Sequence, residues 1–232
     1  MTIKGIVFDK DGTLFHYAET WGSWARATLI HLTDGDENLA RRMGWDVGYR
    51  WESNDFVAGS PLVVGANDEI FTAWSAALPH MSLEEIDSVC RHYIEHLPDA
   101  PVGDLVQILG ALREAGFVLG VATNDYERGA VKQLDDQSIS DHFAFVAGFD
   151  SGFGAKPEPG QILGFADAVG LEPAQIAMVG DSNHDLHAGE NAKVALKVGV
   201  LTGPAVEKDI ADAADVVLPD ISHLQTYLAQ LA

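Results

Sequence analysis

The sequence predicts an α/β fold, a parallel sheet into which a long helical segment is inserted. Short apolar runs, first at residues 6–8 and again at 117–122 and 176–180, each end in polar residues. Such runs are typical of the buried strands of a parallel sheet. Between the first two runs, residues 16–99 instead place their apolar side chains at the three- and four-residue spacing of helices.

Length and composition are those of an ordinary globular protein. The chain has 232 residues, of which 47% are hydrophobic and 21% charged, and this suits a core with a smaller inserted domain. No apolar run approaches the length of a membrane span, and the N-terminus shows no signal-peptide pattern. The single cysteine, Cys90, excludes an intrachain disulfide. We therefore expect a cytoplasmic protein.

The charge balance is strongly acidic. Lysine and arginine together number 14 and the acids 35, for a formal net charge of −21 with neutral histidines. This charge argues against nucleic acid and against an anionic membrane surface as partners, because both would be repelled. An anionic substrate would need a local positive site, supplied by a cation and a few basic side chains.

The first strand stops at two carboxylates. Residues 6–8 are followed by the sequence Asp-Lys-Asp-Gly-Thr, which begins at Asp9. Open α/β sheets place their ligands at the C-terminal ends of strands. The repulsion between Asp9 and Asp11 would be relieved by a bound cation, and one acid could attack while the other handles protons. A plain Asp-rich turn is the structural alternative.

The segment at residues 16–99 is predicted to be all helical. Four helices are expected, at about residues 21–32, 36–47, 67–78 and 83–97. Residues 56–65, with their glycines and proline, are interpreted as a loop, and residues 97–101 as the return hinge. All five tryptophans lie in this segment, and most are expected to form its core.

The basic side chains of this segment, histidines aside, are all arginines. Arginine recognises carboxylate or phosphate groups in a bidentate manner. Most of these arginines are expected to be solvated surface charges. Arg42 and Arg50 are the candidates for substrate contact.

From residue 102 onward the pattern alternates between helix and strand. The run at 117–122 ends at Thr123 and Asn124, where a hydroxyl and backbone N–H groups can donate hydrogen bonds to a ligand, although such residues also cap helices. After a further strand at 143–147, a glycine-rich stretch leads to Lys156. A lysine fixed near carboxylates would offset their repulsion, and an exposed lysine before a turn is the alternative.

The run at 176–180 repeats the logic of the first strand. It ends at Asp181, and Asp185 follows in the first turn of the next helix, where an acid also favours the helix dipole. Magnesium prefers oxygen ligands, so carboxylates that meet at strand ends suit it. The nearby His184 and His187 lack zinc-ligand spacing and are expected on the helix surface. Strands at 194–200 and 216–218 and helices at 207–214 and from 222 complete the predicted chain.

These four sites resemble, in order, the four motifs of the haloacid dehalogenase-like (HAD) superfamily. The first, motif I, is D-x-D-G-T-L at Asp9–Leu14, and the second is Thr123 at a strand end. The third is Lys156 in the form G-x-K-P, and the fourth is G-D-x-x-x-D at Gly180–Asp185. Together the motifs span nearly the whole chain.

The resemblance implies a two-domain architecture. A Rossmann-like parallel sheet of five or six strands would form the core from residues 1–15 and 100–232. Residues 16–99 would be an all-helical cap of the C1 type over the C-terminal edge of that sheet.

The resemblance also implies a reaction. Asp9 would attack phosphorus in line and form an aspartyl-phosphate, and Asp11 would protonate the leaving oxygen and later accept a proton from water. Magnesium would be held by Asp9, the backbone carbonyl of Asp11, and Asp181.

The remaining motif residues would hold the substrate. Thr123, Asn124 and the catalytic Lys156 would contact the phosphoryl oxygens. Asp185 would orient Lys156 or a water on the metal rather than bind the metal itself.

The implied function is a magnesium-dependent phosphatase that acts on a small phosphorylated metabolite, phosphoglycolate-like or a sugar phosphate. Asp11 favours this chemistry, because the dehalogenases of the superfamily lack the second acid. Many phosphoglycolate phosphatase-like members continue D-G-T-L with x-D-S, whereas residues 15–17 here are Phe-His-Tyr, so the substrate stays open. A phosphosugar mutase of the same fold and a non-catalytic phosphate-ligand binding protein are the alternatives. A monomer or homodimer is expected.

Overall fold

The structure, a computed structural model, describes residues 2–64, 67–94 and 99–231. The chain divides into two units, one formed by Met1–His16 with Pro101–Ala232 and the other by Tyr17–Ala100. The predicted domain boundaries lie after residues 15 and 99. The predicted return hinge at 97–101 begins on residues that lie outside the described part of the chain.

The elements are named here in chain order. The strands are β1 (Gly5–Phe8), β2 (Tyr49–Arg50), β3 (Asp55–Phe56), β4 (Val118–Ala122), β5 (Phe143–Ala147), β6 (Ile176–Gly180), β7 (Leu196–Val200) and β8 (Val216–Leu218). The helices are α1 (Tyr17–Leu32), α2 (Glu37–Asp46), α3 (Pro61–Val64), α4 (Asn67–Ala77), α5 (Leu83–Ile94), α6 (Leu105–Glu114), α7 (Glu127–Asp136), α8 (Gly160–Val169), α9 (Asn183–Ala192), α10 (Glu207–Ile210) and α11 (Leu224–Gln230). Among the described helices, none has the length and apolar character that a bilayer crossing requires.

The first unit is built on a six-stranded sheet in the order β5-β4-β1-β6-β7-β8, with every pairing parallel. This confirms the predicted α/β fold with a parallel sheet. β1 lies between β4 and β6, and its last residue, Phe8, is in register with Val121 and Val179. The strands that carry three of the four motifs are therefore neighbours, and they end side by side.

Both faces of the sheet are covered, which explains why β1 is a continuous apolar run. Ile6 and Phe8 pack into one hydrophobic cluster with α6 and α11, and Val7 packs into another with α8. Alternate residues of a strand point to opposite faces, so a strand buried on both sides needs apolar residues throughout.

The second unit is mainly helical, around a core of aromatic side chains. Trp24, Trp51 and Trp74 are buried in it together with Cys90, as expected for core residues. Trp45 differs, since 63% of it is exposed. The interpretation of the tryptophans as core residues therefore holds for most of them but not for Trp45.

This unit is not entirely helical, which corrects the all-helical prediction. β2 and β3 form a short antiparallel hairpin in which Tyr49 pairs with Phe56. Both side chains are buried, and their ring centroids lie 5.3 Å apart. The predicted loop at 56–65 is also partly wrong, because it contains the end of β3 and the short helix α3. Strands of two residues leave no alternation to detect in the sequence.

Candidate active site

Three motif residues meet where the central strands end. Asp9 follows β1, Thr123 follows β4 and Asp181 follows β6, and all three are buried. The parallel register aligns these strand ends, and the backbone N–H of Asp9 donates to the carbonyl of Val179 at 2.9 Å. The sheet topology thus brings together side chains that are far apart in the sequence.

Three buried carboxylates form a cluster at this edge. Asp9, Asp181 and Asp185 each offer an oxygen atom, and these atoms all lie within 4.8 Å of one another. Burial raises the pKa of Asp9 to about 7 against the attraction of Lys156, and burial raises the pKa of Asp181 well above its ordinary value. Three buried carboxylates with too little positive charge around them suit a hard divalent cation such as Mg²⁺, which prefers oxygen ligands.

Lys156 lies inside the site, and not on the surface. Its Nζ forms ion pairs with Asp9 and, at 2.5 Å, with Asp185. Burial disfavours the charged ammonium, but the carboxylates of Asp185 and Asp9 outweigh it and raise the pKa of Lys156. The side chain is therefore a fixed cation beside the motif I aspartate.

Asp185 holds two partners at once. Its Oδ1 pairs with Lys156, and its Oδ2 accepts hydrogen bonds from the backbone N–H and the hydroxyl of Ser182, at 3.0 and 2.6 Å. The second pair of contacts caps the start of α9. The helix-cap alternative and the contact with Lys156 are thus both present in the structure.

Asn124 contacts Lys156 through the main chain. Its Oδ1 accepts from the backbone N–H of Lys156 at 2.8 Å, and its Nδ2 donates to the carbonyl of the same residue at 3.0 Å. The side-chain amide is therefore engaged with the main chain of Lys156, and contact of Asn124 with a phosphoryl oxygen stays a prediction. Thr123 accepts from the N–H of Asp125 at 3.1 Å and keeps its own O–H to donate.

Comparison with known proteins identifies the family. The family model described as haloacid dehalogenase-like hydrolase matches residues 3–193. The chain belongs to the haloacid dehalogenase-like hydrolases. This match and the relatives described next confirm the predicted resemblance. They also confirm the predicted enzyme class, a phosphoric monoester hydrolase of this family.

Relatives of this haloacid dehalogenase-like hydrolase cover most of its length. A phosphoglycolate phosphatase from Aquifex aeolicus is 32% identical over 82% of this chain and 81% of its own. One from Rhodospirillum rubrum is 30% identical over 84% and 78%. A solved structure of a predicted phosphoglycolate phosphatase from Haemophilus somnus 129PT has a TM-score of 0.74 at 22% identity, over 98% and 99% of the two chains, and shows the same fold.

Lys10 of this haloacid dehalogenase-like hydrolase was not predicted as a site residue. Lys10 is 1% exposed, and its Nζ lies 2.7 Å from Asp11, 3.2 Å from Asp125 and 2.8 Å from Gln133. The sequence signal that could have indicated this role is the position of Lys10 between Asp9 and Asp11.

The loop after β7 was also missed. The hydroxyl of Thr202 donates to the carbonyl of Gly12 at 2.6 Å. A Cβ at Gly203 would lie 1.7 Å from Oδ2 of Asp181, so only glycine lets this loop pass the carboxylate. Gly12 itself has φ +87°, a conformation that favours glycine.

The two arginine candidates lie in the second unit. The guanidinium of Arg50 stacks 3.7 Å from the ring centroid of Trp45, and Arg42 lies near the same tryptophan on α2. Substrate contact by either arginine stays a prediction.

Proposed function

We propose that this enzyme is a magnesium-dependent phosphatase that hydrolyses a small phosphate monoester through an aspartyl-phosphate on Asp9. The observation that carries the proposal is the pairing of buried Lys156 with both Asp9 and Asp185, beside Asp181. A nucleophilic carboxylate needs a nearby cation that also attracts the phosphoryl group, and Lys156 is placed for both.

Two acids divide the chemistry. The Asp9 carboxylate attacks phosphorus, a bond from its oxygen to phosphorus forms, and the bond to the leaving oxygen breaks while Asp11 gives that oxygen a proton. Asp11 then takes a proton from a water molecule that attacks the aspartyl-phosphate. The phosphorus–Asp9 bond breaks, and inorganic phosphate and the free carboxylate result.

Asp9, the backbone carbonyl of Asp11, and Asp181 would hold the magnesium ion. When bound, Mg²⁺ shields the negative charges of the attacking carboxylate and the phosphoryl group. The buried oxygen donors of Asp9 and Asp181, with pKa values raised by burial, support this assignment.

The phosphoryl oxygens would be held by the hydroxyl of Thr123, the ammonium of Lys156 and the backbone N–H of Asn124. Asp185 would act on Lys156, because it already pairs with its Nζ at 2.5 Å. This arrangement surrounds the developing negative charge with fixed donors.

The substrate would be phosphoglycolate or a similar small phosphorylated acid or sugar. The relatives that are named phosphoglycolate phosphatase and that align over more than four-fifths of this chain support this class. The Tyr17–Ala100 unit would serve as the cap that selects the leaving group. A cytoplasmic monomer or homodimer without nucleic-acid or membrane partners completes the proposal.

The test is phosphate release from a panel of small phosphate esters, with and without Mg²⁺. We expect release by the wild type that requires Mg²⁺ and that Asp9→Asn lowers by at least about 10³-fold, because the nucleophile is lost. Asp167→Asn, the same change on the exposed surface of α8, is the matched control and should leave the rate unchanged.

Three outcomes would contradict the proposal. Activity that survives Asp9→Asn would exclude this nucleophile. A sugar phosphate isomerised without net phosphate release would identify a mutase. Tight binding of phosphate ligands without turnover would identify a binding protein.

A further inference from the structure

Lys10 is a buried lysine with three polar partners at the C-terminal end of β1. Its Nζ lies 2.7 Å from Asp11, 3.2 Å from Asp125 and 2.8 Å from Oε1 of Gln133. An ammonium has three N–H donors, and each of these three acceptors can take one of them. The side chain is therefore held in a single place by groups from three parts of the chain.

Stability alone does not account for this arrangement. Lysine is rarely buried completely, and replacing a buried ion pair by apolar side chains of similar volume is often neutral or stabilising. Lys10 is 1% exposed, so its charge is removed from water almost entirely. One partner of this charge is Asp11, which is a reacting group in the proposed function, so a positional role is the further one to consider.

The partners of Lys10 are themselves fixed. Oδ1 of Asp125 accepts from the backbone N–H of Tyr126 at 2.7 Å, while Oδ2 faces Lys10. Gln133 lies on α7, one turn before that helix ends. Lys10 thus ties the Asp11 carboxylate to the end of β4 and to α7, and this connection limits rotation of the carboxylate about its Cβ–Cγ bond.

We propose that Lys10, held by Asp125 and Gln133, is a positioning residue that aims the carboxyl group of Asp11 at the leaving-group oxygen. This inference rests on the proposed function, in which the proton of Asp11 moves to that oxygen as its bond to phosphorus breaks. Proton transfer between positioned groups is steeply dependent on geometry, so the loss of Lys10 harms the reaction only where that proton is needed.

Two probe esters separate this role from a general one. The first probe is an alkyl phosphate, which needs a proton on its leaving oxygen. It is phosphoglycolate or the alkyl ester that the wild type hydrolyses fastest. The second, para-nitrophenyl phosphate, releases a stable anion and needs no such proton. The ratio of the kcat/KM values for the two esters reports on the first transfer, to Asp9, because kcat/KM includes only steps up to the first irreversible one.

Lys10→Met keeps the side-chain length and removes the charge. We expect it to lower kcat/KM for the alkyl ester by about 10- to 100-fold, within the range of general acid catalysis, and for the nitrophenyl ester by less than about threefold. Lys132→Met makes the same change on the exposed face of α7 and should leave both values unchanged. An equal loss for both esters would overturn the proposal.

A second variant keeps the test decisive if Lys10→Met does not fold. Gln133→Met removes one acceptor of Lys10 without changing any charge, and it should lower the same ratio by a smaller factor. A folded Gln133→Met enzyme with an unchanged ratio would overturn the proposal in that case. Failure of the wild type to hydrolyse either ester would instead refute the proposed function, and the inference with it.

Discussion

Two buried lysines divide the charges of motif I between them. Lys156 pairs with Asp9, and Lys10 pairs with Asp11. In a chain with only 14 lysines and arginines against 35 acids, two cations lie at this one site. Asp9 and Asp11, the proposed nucleophile and proton donor, are two positions apart in the sequence, yet each has its own counter-ion. Removing either lysine would take a cation away from these carboxylates, and removal of one partner of a buried ion pair costs about 3–5 kcal/mol.

A single glycine, Gly203, leaves no room for a side chain beside Asp181. In Gly203→Ala, the new methyl group would lie 1.7 Å from Oδ2 of Asp181, so the carboxylate or the loop must move. We expect the free energy of unfolding to fall by about 1–3 kcal/mol, as in overpacked sites. The Mg²⁺ concentration for half-maximal activity should rise, because Asp181 is displaced. Chemical denaturation and a magnesium titration of the activity measure the two effects.

Gly110→Ala is the control for that substitution. A Cβ at Gly110 would meet its nearest neighbour, in His142, at 3.8 Å, and the residue lies within α6. Alanine should therefore be neutral or stabilising there. An unchanged magnesium requirement in Gly203→Ala would show that the loop after β7 moves away without disturbing Asp181.

At the scale of elements, the candidate site lies at the ends of the strands. The loops that follow these strands hold its side chains in place. The loop that leads to Lys156 is anchored at its main chain by Asn124, which follows β4. It is anchored a second time through Gln161 of α8, whose Nε2 donates to the carbonyls of Thr123 and Gly154. The position of the Lys156 ammonium thus depends on β4 and α8 as well as on its ion pairs.

Asn124→Ala tests the first of these anchors. The substitution removes two hydrogen bonds from the main chain of Lys156, which should lower the free energy of unfolding by about 1–2 kcal/mol. We expect kcat to fall by about tenfold, since small displacements of a positioned group are costly in rate. Asn191→Ala, which removes one bond to the carbonyl of Pro157, is the control. An equal loss of kcat in both variants would mean that general anchoring of the loop matters, and not the contact with Lys156.

At the scale of the molecule, the sequence predicts features that depend on local pattern. The strands of the large sheet were found from their apolar runs, because burial on both faces demands such runs. The motif acids were found because they end those strands. The hairpin of β2 and β3 was not found, because its strands have two residues each.

Contacts between distant segments could not be predicted from the local sequence pattern, for a different reason. Lys10 and Gln133 are 123 positions apart, and Thr202 and Gly12 are 190 apart. Only the order of strands in the sheet brings such pairs together, and no local spacing encodes that order. The contact between the side-chain amide of Asn124 and the main chain of Lys156 was likewise not predicted, because the two residues lie 32 positions apart.

Magnesium bound at the acid cluster, as proposed above, would also link the stability of the whole fold to the Mg²⁺ concentration. A ligand that binds only the folded state stabilises it by RT ln(1 + [L]/Kd), about 2.7 kcal/mol at a hundredfold excess over Kd. For a chain of this size we expect Mg²⁺ to raise the Tm of the sheet unit by roughly 5–10 °C. Potassium chloride at equal ionic strength is the control in thermal unfolding.

Asp181→Asn should remove most of this stabilisation by Mg²⁺. Without Mg²⁺, the variant lacks one of three buried carboxylates, Asp9, Asp181 and Asp185, which lie within 4.8 Å of one another, so its Tm should equal or exceed that of the wild type. With Mg²⁺, the variant loses a ligand, and most of the rise in Tm should disappear. If Mg²⁺ stabilised the variant and the wild type equally, the cation would bind elsewhere on this acidic chain, and the carboxylate cluster would depend on Lys156 alone for its positive charge.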